Sequence, residues 1–71
     1  MEQLARPGSD LTVRERQVLE KLHRCLRNGE IADSLEISTK TVETHIRHIF
    51  LKLGCKNRTQ AVLFAQEQGY L

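Results

Sequence analysis

Three helix-start signals, at Thr12, Ser38 and Asn57, divide this chain, and no stretch between them alternates in the way a strand requires. "LTVRERQVLEKLHRCL" opens with a T-x-x-E capping box, Thr12 with Glu15, and Leu11 stands where a hydrophobic staple packs. Val18, Leu19, Leu22 and Leu26 then recur at helical spacing. Asn28-Gly29 either ends this helix or caps the next. "EIADSLEI" reads as a short second helix with Ile31, Ala32 and Leu35 on one face, and Ile37 turns inward after it. "STKTVETHIRHIFLKLG" is a third helix, capped by Ser38 and stopped by Gly54 in a left-handed conformation. Its apolar stripe is Val42, Ile46, Ile49, Phe50 and Leu53. Asn57 and Gln60 form an N-x-x-Q cap, and a fourth helix runs through "RTQAVLFAQEQ" to Gly69. The expected fold is all-α, a four-helix bundle with short connections. Its expected core is Val18, Leu22, Ile31, Leu35, Val42, Ile49, Leu53, Val62 and Ala65.

The length, 71 residues, allows one domain and no two-lobed active-site cleft. Residues 1–10 contain Pro7, Gly8 and Ser9 and read as a flexible lead-in or the remnant of a linker, so the domain is placed at 11–71. There is no glycine-rich phosphate loop and no recognisable pair of nucleophile and base, so an enzyme is not expected. His45 and His48 are spaced H-x-x-H, but neither a C-x-x-C pair nor an acidic third ligand accompanies them. No metal, cofactor or small-molecule ligand is therefore expected. Cys25 and Cys55 lie far apart and read as reduced thiols packing as small hydrophobes, which fits a cytoplasmic protein. No apolar run approaches the roughly 18–20 residues that cross a bilayer, and no secretory h-region is present, so no membrane partner is expected.

The formal net charge is only +2, too small by itself to indicate a polyanionic partner. The distribution says more. Residues 28–37 carry Glu30, Asp33 and Glu36 and no lysine or arginine, whereas residues 38–60 carry Lys40, Arg47, Lys52, Lys56 and Arg58 against Glu43 alone. Positive charge is thus gathered in and after the third helix. The second and third helices are joined by a turn of about four residues, the spacing of a helix-turn-helix. Such a pair suits duplex DNA, because the first helix braces on the backbone while the second enters the major groove. Lys40, Glu43, Thr44, Arg47 and Leu51 lie opposite the apolar stripe, where a groove-facing surface would be.

At this point the sequence resembles a known family. "LTVRERQVL", "NGEIADSLEIS", "TVETHI", "KLG" and "NRTQAV" occur in the order found in the LuxR/GerE-type DNA-binding domain, which also ends response regulators of the NarL/FixJ group. The resemblance covers residues 11–69, and the length is similar to that of a stand-alone GerE-type regulator. It implies sequence-specific binding of double-stranded DNA by a bacterial transcription regulator, with helix 39–53 as the recognition helix. By position, Glu43, Thr44 and Arg47 would reach base edges, and Lys40, Thr41, His48, Lys52 and Arg58 would meet the DNA backbone. Val42 would be core, and His45 a structural side chain at the helix–helix seam.

The fourth helix is the usual dimer contact in the family. Ala61, Val62 and Ala65 fit its inward face, which leaves Leu63 and Phe64 partly or wholly outside. With Gln60 and Glu67 they form a strip that implies a weak homodimer on an imperfect inverted repeat. The chain departs from the family where Cys25 replaces a usual glycine, where Gly29 replaces a polar side chain, and at Glu43 and Leu51. Gly29 and Glu43 support an alternative: a degenerate helix-turn-helix module that works through protein–protein interaction.

Overall fold

In a computed structural model of the chain, residues 11–71 are described. The lead-in expected at residues 1–10 lies outside them. The described residues form four helices and no strand: α1 (Val13–His23), α2 (Asn28–Leu35), α3 (Thr39–Leu53) and α4 (Arg58–Glu67). Helix α3 packs on each of the other three, and α1 also packs on α4. The all-α helix-turn-helix fold expected from the sequence is the fold observed.

The start signals act as expected. Thr12 Oγ1 accepts from the Glu15 amide at 3.0 Å, and Glu15 Oε1 accepts from the Thr12 amide at 3.0 Å, closing the capping box. Ser38 Oγ accepts from the Thr41 amide at 3.1 Å, and Asn57 Oδ1 from the Gln60 amide at 2.8 Å. Helix α2 begins differently. Its N-cap is Arg27, so Asn28 and Gly29 belong to its first turn and neither ends α1 nor caps α2. Arginine has no side-chain acceptor, and only the reciprocal bond forms, from the Arg27 amide to Glu30 Oε1 at 2.8 Å.

All four helices end in the same way. Each chain reversal is closed by an amide bonding the carbonyl five residues earlier: Leu26 to Lys21, Ile37 to Ala32, Cys55 to Phe50 and Tyr70 to Ala65. This is the Schellman arrangement, which needs a left-handed residue just before the donor. Gly54 and Gly69 fill that position after α3 and α4, with φ of 70° and 85°. After α1 and α2 it falls to Cys25 and Glu36, with φ of 65° and 58°. A side chain with a Cβ is strained there.

The core is Leu11, Val18, Leu19, Leu22, Ile31, Ala32, Val42, Ile49, Leu53, Cys55, Ala61 and Ala65. Leu35 and Val62, expected in it, are only partly buried and pack against its edge, as do Ile46, Phe50 and Phe64. Leu35 is the last residue of α2, at the edge of the core, and Val62 sits beside the surface groove between α1 and α4. Tyr70 extends the packing past α4. Its ring lies under the Arg16 guanidinium, 5.2 Å from ring centre to Cζ, and ties the C-terminal residues to α1.

Candidate nucleic-acid interface

The three residues Glu36–Ser38 turn the chain from α2 into α3. Val42, Ile49 and Leu53 bury one side of α3 completely or nearly so. The opposite side presents Lys40, Glu43, Arg47 and Leu51, all exposed, with Thr44 half-buried among them. Thr44 Oγ1 donates to the Lys40 carbonyl at 3.2 Å, so its methyl, not its hydroxyl proton, is offered outward. Thr41 is exposed, and its hydroxyl lies 2.9 Å from Ser38 Oγ, part of the helix cap.

Two of the expected backbone contacts stand on the flank of α3 that faces α1. Lys52 Nζ lies 2.8 Å from Glu15 Oε1, and His48 Nδ1 lies 3.6 Å from Glu15 Oε2. Glu15 is a buried carboxylate, 2% exposed, that also accepts the Thr12 amide. Burial pushes its carboxyl pKa up. The Lys52 hydrogen bond, the Thr12 amide and the charges of Lys52 and His48 outweigh that and hold it below its ordinary value. One acid thus joins the first turn of α1 to the last turns of α3. Sequence alone assigns Glu15 only to the cap, because its partner is 37 residues away.

Arg58, the remaining expected backbone contact, opens α4. Its guanidinium donates to the Leu26 carbonyl at 2.6 Å and to Asn28 Oδ1 at 3.3 Å, pinning the α1–α2 loop. Gly29, one residue further on, is open: a Cβ built there meets nothing within 4 Å. His45 is half-buried, away from the outer face, and its Nδ1 is buried with no hydrogen-bond partner among the described residues. Among the described residues no group of His, Cys, Asp and Glu is placed to hold a metal ion.

The strip expected to form a dimer is divided by the structure. Leu63 is 51% exposed and Glu67 is exposed. Phe64 folds back against the core, and Gln60 Oε1 accepts the Lys56 amide at 2.8 Å within the α4 cap. Leu63 borders a groove with Leu22, Leu26 and Val62. On the outer face of α3, Lys40, Glu43, Arg47 and Leu51 stand exposed along one side of the helix. A ridge of donors and cations on a braced helix is what a major groove about 12 Å wide admits.

A short α2, a tight turn and a longer α3 with a buried and a cationic side define a helix-turn-helix domain of the kind found in transcription regulators. Residues 9–65 match the family described as "Bacterial regulatory proteins, luxR family" (GerE), and the chain belongs to that family. It is similar to the CsgBAC operon transcriptional regulatory protein of Escherichia coli K12, 51% identical over 57 residues. Those residues are 80% of this chain but 26% of that relative, so the chain spans about a quarter of its length. Among solved structures it is similar to the transcription factor GerE, with a TM-score of 0.82 and 41% identity over 86% of this chain and 91% of that one. It also resembles the response regulator ChrA of a heme-sensing two-component system, with a TM-score of 0.85 and 39% identity over 35% of ChrA.

Proposed function

We propose that this chain binds double-stranded DNA sequence-specifically, as the DNA-binding part of a bacterial transcription regulator. The observation that carries the reading is the outer face of α3, where Lys40, Glu43, Thr44 and Arg47 share one exposed side of a helix braced from behind. On this reading Arg47 donates to guanine, Glu43 accepts from cytosine N4 and repels phosphate, and the Thr44 methyl meets the base floor. Lys40, Thr41 and His48 lie on the phosphates at the groove edge. His48, Lys52 and Arg58 take a smaller share there than Lys40, because each already serves an intramolecular partner. The chain acts in the cytoplasm, performs no catalysis and needs no cofactor. Residues 11–71 are its folded domain.

Two copies pair weakly through Leu63 and Glu67 on α4. This places two α3 helices in successive major grooves about one helical turn apart. The test is selection of duplexes by the 71-residue chain from a random pool. An imperfect inverted repeat is the expected product. A pool that gains no common sequence overturns the reading, and leaves Glu43 and Gly29 as marks of a module that binds another protein.

A further inference from the structure

Leu51 is 74% exposed, although it stands on the helix face that carries the cations. At about 100° per residue it projects between Lys40 and Thr44, and one turn beyond Arg47. It is therefore centred on the outer ridge of α3, with no apolar neighbour on that face. The core stripe of Val42, Ile49 and Leu53 is on the other side of the helix.

We propose that Leu51 is a specificity-determining residue that reads the 5-methyl group of a thymine. The inference rests on the DNA-binding reading and deepens it. The occupant follows from charge: Lys40 and Arg47, on the same face, draw a polyanion to this ridge. A leucine has no donor for phosphate and none for a base edge. The apolar feature that the major groove offers is the thymine C5-methyl. Four residues along a helix amount to about 6 Å, so Leu51 meets a base pair one or two steps from the one under Arg47. Losing the contact between the side chain and one methyl corresponds to roughly a fourfold loss of affinity.

The test uses the 71-residue chain and a duplex selected from the random pool. Each thymine is replaced singly by deoxyuridine, which removes only the methyl, and binding is measured for the parent, Leu51→Ala and Leu51→Gln. The parent should lose about fourfold at one thymine of each half-site. Both variants should bind the thymine duplex more weakly, yet bind the deoxyuridine duplex at that position as the parent does. Thermal melting of the variants should match the parent, since Leu51 is exposed. Variants that keep the parent's sensitivity at every thymine overturn the inference, as does an equal loss on all duplexes. Either result leaves DNA binding intact. A chain that selects no duplex overturns both.

Discussion

Glu15 and Lys52 lie 37 residues apart in the chain and 2.8 Å apart in space. The pair fixes the recognition helix to the start of α1. Glu15 is nearly inaccessible, so its carboxylate without Lys52 would be a buried charge lacking its main partner. Glu15→Ala keeps the Thr12 cap on the amide of residue 15 but removes the reciprocal arm of the capping box and the pair with Lys52, and should cost about 2–4 kcal/mol, a large share of the stability of a domain this small. Glu15→Gln keeps an acceptor for the Thr12 amide and should cost less. Its effect on pH dependence is more diagnostic. The folded pKa of Glu15 is lowered from the ordinary 4.5. Its contribution is therefore complete above that value and fades as pH falls through the folded pKa. Denaturant unfolding from pH 6 to pH 3 should show the parent losing more stability than Glu15→Gln below about pH 4.5. Parallel curves would remove Glu15 from the account.

Cys25 and Glu36 carry the left-handed conformation that Gly54 and Gly69 carry elsewhere. Glycine meets no Cβ penalty there, although it has more unfolded-state entropy to lose. Cys25→Gly and Glu36→Gly should each stabilise the domain by about 0.5–1 kcal/mol, read as a higher denaturant midpoint. Cys25→Ala should be close to neutral. If Cys25→Gly destabilises, the thiol makes a contact that outweighs the backbone strain.

Gly29 lies in the first turn of α2 with open space around its α-carbon. Gly29→Lys should fold at least as well as the parent, because glycine within a helix costs roughly 0.5–1 kcal/mol relative to alanine. It should also strengthen binding to every duplex and steepen the salt dependence by about one phosphate. An unchanged salt slope would place the start of α2 away from the DNA backbone.

Much of this fold is legible in the sequence because helix starts and glycine stops are local. Thr12 with Glu15, Ser38, Asn57 with Gln60, and Gly54 all act within a few residues of where they stand. What escapes is either unsignalled or distant. Cys25 and Glu36 are not residue types that mark a left-handed position, and only the glycine usual in the family where Cys25 stands points to one. Arg27 is not a capping residue, so the true start of α2 goes unmarked. Spacing alone puts Phe64 beside Leu63 but does not tell which of the two leans on the core. The cation–π contact of Arg16 with Tyr70 joins α1 to the residues after α4 and has no local sign. In the candidate interface the outer face of α3 follows from helical period. The tie of Lys52 and His48 to Glu15 does not.

Leu63 borders the groove between α1 and α4 and is half exposed. Leu63→Asp should leave the fold intact and reduce cooperativity on full inverted repeats, with half-site affinity unchanged. Equal affinity of the parent for half and full sites would contradict pairing through α4.

The central claim is that the outer face of α3 reads a DNA sequence. The most direct measurement compares the parent with Arg47→Ala on a selected and a scrambled duplex across a salt series. For the parent, log affinity should fall linearly with log salt, with a slope near 0.9 per phosphate neutralised, and the selected duplex should be preferred throughout. Arg47→Ala should lose about 1–3 kcal/mol on the selected duplex and little on the scrambled one. Equal loss on both duplexes would make Arg47 a backbone contact, and a parent with a flat salt slope and no preferred duplex would contradict the claim itself.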